Sequence, residues 1–162
     1  MKLDNRKNIA RIKQMALNRY HGDLVDVNGP AHWERVWQNA QLLIPHTKAN
    51  ATVVELFCYL HDCCRIHHGH EPEHGLAASK FIEQHKQEFS FLSPQEYLLL
   101  LKACTEHTFL QCSNNPTIAT CWDANRLDLG RHGICPKAQF LITQAAKDLK
   151  VINSAYQSSI ND

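Results

Sequence analysis

The chain has 162 residues, of which 44% are hydrophobic and 20% are charged, which is enough apolar material for the core of one domain. Seventeen basic and sixteen acidic residues give a formal net charge of +1, so the chain lacks the strong positive charge of proteins that bind nucleic-acid polymers or anionic membranes. Seven cysteines occur without a C-x-x-C pair, which is typical neither of a disulfide framework nor of a thiolate zinc site. With no signal sequence and no long apolar run, we expect a cytoplasmic protein without nucleic-acid or membrane partners.

Apolar residues recur at helical spacing along most of the chain. The predicted helices, in chain order, run from Asp4 to about His21, from Pro30 to Pro45, from Thr52 to Arg65, from His74 to His85, from Ser93 to His107, from Thr117 to Gly130 and from Pro136 to Leu149. The third is apolar over most of its circumference, which places it in the middle of the fold. The fifth has the clearest start, because Ser93 and Glu96 form a capping-box pattern around Pro94.

Strand-like alternation, internal repeats and long linkers are not visible in the sequence. We therefore predict an all-α fold, a single helical bundle of about six to eight helices over residues 1–152. The polar residues 153–162 are expected to form a frayed C-terminal tail.

Histidine is the most informative residue type, since five of the eleven histidines fall between positions 61 and 74. His61 lies four residues after Phe57 and eight after Val53, so it continues an apolar helical stripe and should point into the core. Asp62 follows it directly, and an inward carboxylate is costly unless it is paired or binds a metal. The adjacent pair therefore indicates a site more strongly than either residue alone.

Other predicted helices each offer one metal-ligating side chain near an end or on the apolar side. His32 opens the second helix, His74 opens the fourth, His107 lies on the inner stripe of the fifth, and Asp123 lies in the sixth. Helical bundles build metal centres from such inward-facing side chains on different helices.

The order His32, His61-Asp62, Asp123 resembles the H…HD…D signature of the HD-domain superfamily, which consists largely of metal-dependent phosphohydrolases. The segments HWERV, HDCCR, HGLAA and WDANRLDLGRHGICP also resemble the corresponding stretches of small bacterial HD proteins, over about residues 27 to 147. Asn125 departs from this pattern, because an aspartate is usual at its position.

The resemblance implies an HD domain in which His32, His61, Asp62 and Asp123 surround one ion. In two-metal members further histidines, matched here by His74 and His107, bind a second ion, and the aspartate of the HD pair bridges. We favour this binuclear arrangement, with Asp128 as a rival for the final ligand. The imidazole and carboxylate donors suit one or two divalent ions of manganese, iron, cobalt, nickel or zinc, and ligand type alone does not choose among them.

Such a centre acidifies bound water and neutralises phosphoryl oxygens, which favours hydrolysis of a small phosphorylated metabolite or nucleotide. Arg65 is the expected catalytic group, since it lies one helical turn after the HD pair. Arg35 and Arg126 are the expected substrate-binding arginines, although ion pairs are an equally good interpretation of all three. Two alternatives stay open: a mixed-valence di-iron oxygenase on the same ligands, and a non-catalytic metal-binding regulatory module. The substrate and the oligomeric state do not follow from the sequence.

Overall fold

The computed structural model describes residues 3–22, 27–66 and 69–161, and within them it contains seven α-helices and no strand. The helices are α1 (Leu3–Arg19), α2 (Pro30–Thr47), α3 (Ala51–Leu60), α4 (His74–Gln84), α5 (Pro94–Glu106), α6 (Pro116–Leu127) and α7 (Leu149–Asn161). The prediction of an all-α bundle is confirmed. None of the helices in the described ranges combines the length and apolar character that crossing a bilayer requires.

Helix α3 lies in the middle of the bundle, as predicted from a surface that is apolar over most of its circumference. All residues from Leu56 to Leu60 are buried, and α1, α2, α5 and α6 pack around the helix. Because α3 is surrounded by other helices, the residues at its C-terminal end reach the interior of the protein. The HD pair stands at that end.

Three helices begin after a residue whose side chain caps the helix. Ser93 and Glu96 form the predicted capping box at α5, since each side chain accepts a hydrogen bond from the other residue's backbone N–H. Helix α3 is capped by Asn50, whose side chain accepts from Val53 N at 3.1 Å, and not by Thr52 as predicted. Asn115 caps α6 in the same way.

The third helix is shorter than predicted, because α3 ends at Leu60 and residues 61–64 form turns. The backbone N–H of His61 still bonds to Phe57 O at 3.0 Å, whereas Cys63 N bonds to Leu60 O at 3.2 Å. The change from a bond four residues back at His61 to one three residues back at Cys63 marks the end of the α-helical hydrogen bonding. Helix α2, in contrast, continues through Pro45 to Thr47.

The C-terminal region differs most from the prediction. Residues 141–148 contain no α-helix, and a short 3₁₀ turn at Ala138–Phe140 replaces most of the helix expected after Pro136. The prediction of a frayed C-terminal tail is wrong for residues 153–161, because these residues belong to α7, which runs from Leu149 to Asn161. Ile152, Ala155 and Ser159 are buried along one face of α7, against α2 and the 3₁₀ turn Leu129–His132. This helical spacing was present in the sequence but was outweighed by the polar composition.

Candidate metal centre

Four imidazoles and one carboxylate converge at the end of α3, brought there by four different parts of the chain. His32 lies in the first turn of α2, His61 and Asp62 follow α3, His74 opens α4, and His107 follows α5 directly. All but His107 are classed as buried residues, and the side chain of His107 is only 3% exposed. The structure therefore brings together five of the six metal ligands that the sequence suggests.

The five side chains form two triads that share Asp62. In the first triad, His32 Nε2 lies 3.2 Å from His61 Nε2, and each of these nitrogens lies 3.6 Å from Asp62 Oδ2. In the second triad, Asp62 Oδ1 lies 2.9 Å from His74 Nε2 and 3.8 Å from His107 Nε2, and the two nitrogens are 2.8 Å apart. Asp62 thus turns one oxygen towards each triad.

These distances fit metal coordination. Ligand atoms about 2.1 Å from one ion are separated by about 3.0 Å in an octahedron and about 3.4 Å in a tetrahedron, given the usual zinc–nitrogen and zinc–oxygen bond lengths. The first triad has the spacing of a tetrahedral ion, and two of the three distances in the second triad are close to octahedral. Each triad could therefore hold a metal ion, and Asp62 belongs to both triads.

The tautomers of the four histidines also support a metal site. Every Nδ1 faces an oxygen acceptor: Asp128 for His32, Phe57 O and Cys58 O for His61, Glu71 O for His74, and Cys104 O for His107. An Nδ1–H that donates to an acceptor leaves an unprotonated lone pair on Nε2. Four such lone pairs facing one another repel unless a cation lies among them, and metal-binding histidines are typically oriented in this way.

His74 Nδ1 has two neighbours that require opposite roles. Glu71 O accepts hydrogen bonds only, whereas Arg65 Nη1, 3.0 Å away, donates only. We assign the Nδ1 proton to the bond with Glu71 O, because this assignment matches the pattern of the other three histidines. With that proton on Nδ1, Arg65 Nη1 can donate only to His74 Nε2, which lies 3.4 Å away.

The protonation states inside the first triad favour an anionic carboxylate with neutral imidazoles. Burial, together with the positive charge of Arg131, lowers the pKa of His32 to about 4, and these two effects outweigh the opposing effect of Asp128. Burial likewise holds the pKa of His61 well below its usual value. Burial raises the pKa of Asp62, but the surrounding histidines outweigh it and keep that pKa well below the usual range. These are the states that bind a metal.

His32 is held by a buried network centred on Asp128. Asp128 Oδ2 accepts from His32 Nδ1 at 2.6 Å, and Oδ1 accepts from Arg35 Nε and Ser159 Oγ, each at 2.8 Å. Gly130 makes the approach of α7 possible, because a Cβ there would stand 2.6 Å from the Ser159 Cβ. Asp128, the alternative to Asp123 as a metal ligand, therefore lies behind His32 and orients its ring.

Gly75 performs a similar role for the second triad. A Cβ at this position would stand 2.3 Å from Cys104 O and 2.9 Å from His107 Nδ1. Only glycine lets α4 pack this closely on α5, and the close packing brings His74 and His107 into contact.

Three site predictions from the sequence need correction. Asp123 is not in the cluster: its carboxylate accepts from the backbone N–H groups of Ile142 and Thr143 at 2.8 and 2.7 Å, and so anchors the segment before α7. Arg35, expected to bind substrate, pairs with Asp128. Arg126, also expected to bind substrate, donates to backbone carbonyls of residues 110 and 111. Each side chain is used within the fold.

A cavity of about 350 Å³ opens beside the second triad. Arg65 lines it, with Nη1 3.9 Å from Asp62 Oδ1, and two further lining residues, Asn125 and Arg131, are ones that the sequence analysis did not select. Asn125 Oδ1 is buried and has no hydrogen-bond partner in the described part of the chain. The signal for Asn125 was its departure from the family pattern, whereas nothing in the sequence distinguished Arg131 from other arginines.

No protein-family model matches the chain, and no curated protein or solved structure matches it either. The resemblance to HD proteins consequently rests on the residues of this chain alone.

Proposed function

We propose that this protein is a metal-dependent phosphohydrolase of the HD type that acts on a small phosphorylated compound. The observation that carries the proposal is the pair of His/Asp triads sharing Asp62, each with two histidine Nε2 atoms that face each other. His32, His61 and Asp62 would hold one divalent transition-metal ion, and Asp62, His74 and His107 the other. Bound ions of this kind supply an acidified water and neutralise phosphoryl oxygens.

Phosphate chemistry is favoured over other uses of the centre by the arginines beside it. Arg65 and Arg131 both line the cavity that contains Asp62, His74 and His107. A guanidinium offers several N–H donors in a plane and matches the oxygens of a phosphoryl group. Arg65, next to Asp62, is placed to orient the phosphoryl group, and the cavity gives a small substrate access from solvent.

The first test is metal content followed by activity. The purified chain is loaded separately with manganese, iron, cobalt, nickel and zinc, its metal is counted by elemental analysis, and phosphate release from p-nitrophenyl phosphate is measured with and without oxygen. We expect about two ions per chain and oxygen-independent hydrolysis. Asp62→Asn should lose the bridge and at least one ion, with turnover falling about a hundredfold or more.

Asp148→Asn is the matched control, because Asp148 is exposed and its side chain accepts only from Lys150 N at the start of α7. It should keep both the metal and the activity. Unchanged metal content in folded Asp62→Asn would refute the centre. Oxygen consumption by the iron form without ester hydrolysis would favour the oxygenase, and full metal content without either reaction would favour the regulatory module.

A further inference from the structure

The cavity beside the second triad has an unusually polar wall. Among the described residues that line it, only Pro72 has an apolar side chain, and the only aromatic rings are the imidazoles of four histidines. Most small-molecule sites are lined mainly by hydrophobic and aromatic groups, and proteins commonly bind a nucleobase by stacking it on an aromatic ring. The volume of about 350 Å³ is also near the lower end for such sites.

The same cavity collects polar atoms that the protein leaves unpaired. In the described part of the chain, six buried side-chain nitrogen or oxygen atoms lack a hydrogen-bond partner. Four of them belong to residues that line this cavity, namely Asp62 Oδ1, Arg65 Nε, Asn125 Oδ1 and Arg131 Nε. Because an unpaired buried polar group costs free energy, an anion in the cavity would complete the donors Arg65 Nε and Arg131 Nε, whereas the acceptors Asp62 Oδ1 and Asn125 Oδ1 require a metal ion or a hydroxyl group.

Arg131 is held in place by hydrogen bonds from both terminal nitrogens of its guanidinium. Its side chain is 9% exposed, Nη1 donates to Asp128 O at 2.9 Å, and Nη2 donates to Asn28 Oδ1 at 3.4 Å. These bonds hold the guanidinium in place while Nε–H stays available. Arg65 is 11% exposed and donates from Nη2 to Gly69 O at 2.9 Å. The two arginines and two divalent ions together exceed the negative charge of Asp62 and Glu71, so the cavity favours an anion of high charge.

We propose, building on the phosphohydrolase function, that the substrate is a compact polyanion without a nucleobase. It is a phosphate monoester that carries a second anionic group, which is either the carboxylate of a small hydroxy acid or a second phosphate on a small polyol. Arg65 binds the phosphoryl group that is hydrolysed, and Arg131 binds the second anionic group and determines specificity. In the reaction the water oxygen bonds to phosphorus, the bond from phosphorus to the ester oxygen breaks, and a proton from water goes to the leaving alkoxide.

The experiment compares two esters of similar size on the metal-loaded chain. Phosphoglycerate has a carboxylate where glycerol phosphate has a neutral hydroxymethyl group. Adenosine monophosphate, adenosine triphosphate and p-nitrophenyl phosphate complete the panel. We expect kcat/KM for phosphoglycerate to exceed that for the other four at least tenfold.

Arg131→Met should lower kcat/KM for phosphoglycerate at least tenfold more than it lowers kcat/KM for glycerol phosphate. Calorimetric binding of inorganic phosphate, which lacks the second group, should weaken less than binding of phosphoglycerate. Arg131→Lys should restore part of the preference because it keeps the charge. Arg11→Met is the matched control, since Arg11 pairs with Glu88 on the surface, outside this cavity. Circular dichroism checks that each variant is folded.

A nucleotide hydrolysed tenfold better than phosphoglycerate would overturn the inference and leave the phosphohydrolase function standing. Hydrolysis of p-nitrophenyl phosphate alone would have the same consequence. So would an equal loss of kcat/KM for phosphoglycerate and for glycerol phosphate in folded Arg131→Met. If the metal-loaded wild type hydrolyses none of the five compounds and does not bind inorganic phosphate, the proposed function fails and the inference fails with it.

Discussion

Replacing Asp128 by asparagine should weaken one metal site and spare the other. The carboxylate of Asp128 accepts from His32 Nδ1, Arg35 Nε and Ser159 Oγ. An asparagine side chain has only one accepting oxygen, so its NH₂ group must face either Arg35 or His32. Arg35 has no accepting atom, which leaves His32 Nδ1 to accept and moves the imidazole proton to Nε2.

The magnitude follows from the role of Asp128. Loss of a carboxylate that orients a metal-binding histidine typically reduces metal affinity 10–100-fold, which is about 1.4–2.8 kcal/mol. The other triad depends on Glu71 O and Cys104 O for its tautomers, so its affinity should stay near the wild-type value. Weakening of the hydrogen bonds to the buried carboxylate should lower the free energy of unfolding by about 1.5–3 kcal/mol.

The assay is a competitive metal titration against a chelator, which resolves two binding steps, together with nitrogen NMR of the His32 tautomer in the metal-free chain. Ser159→Ala serves as the control, because it removes one bond to Asp128 without altering the acceptor for His32. It should leave both metal steps in place. An equal weakening of both steps in folded Asp128→Asn, or an unchanged His32 tautomer, would refute the reasoning.

Two further predictions test the assignment of side chains on α6. Asp123→Asn should leave the metal stoichiometry unchanged and lower the free energy of unfolding by about 1–3 kcal/mol, because its carboxylate binds the backbone of residues 142 and 143 and not an ion; elemental analysis and chemical denaturation check this. Asn125→Asp should raise metal affinity at least about tenfold, since it places a negative charge where an unpaired oxygen now lines the cavity, and it should destabilise the metal-free chain beside Asp62. Chelator competition and thermal unfolding with and without metal measure the two effects, and a lower affinity would contradict the placement of Asn125.

Much of the architecture could be predicted because it depends on neighbours in the chain. Helical spacing of apolar residues gave six of the helices, and the Ser93–Glu96 capping box identified the start of α5 from four adjacent residues. Helix α7 was missed because its buried stripe is narrow and residues 153–161 are mostly polar. Such a helix is stable only when another surface covers that stripe, which no local pattern reveals.

The candidate site divides in the same way. The sequence alone determined that His61 and Asp62 lie at the end of a buried helix, and that His32, His74 and His107 stand near helix ends. Only the tertiary structure decided the roles of residues 123, 125 and 128, which are close in sequence. Asp123 binds the segment before α7, Asn125 lines the cavity and Asp128 holds His32. Successive helical residues point about 100° apart, so the helices that pack against α6 determine which of these side chains faces the centre.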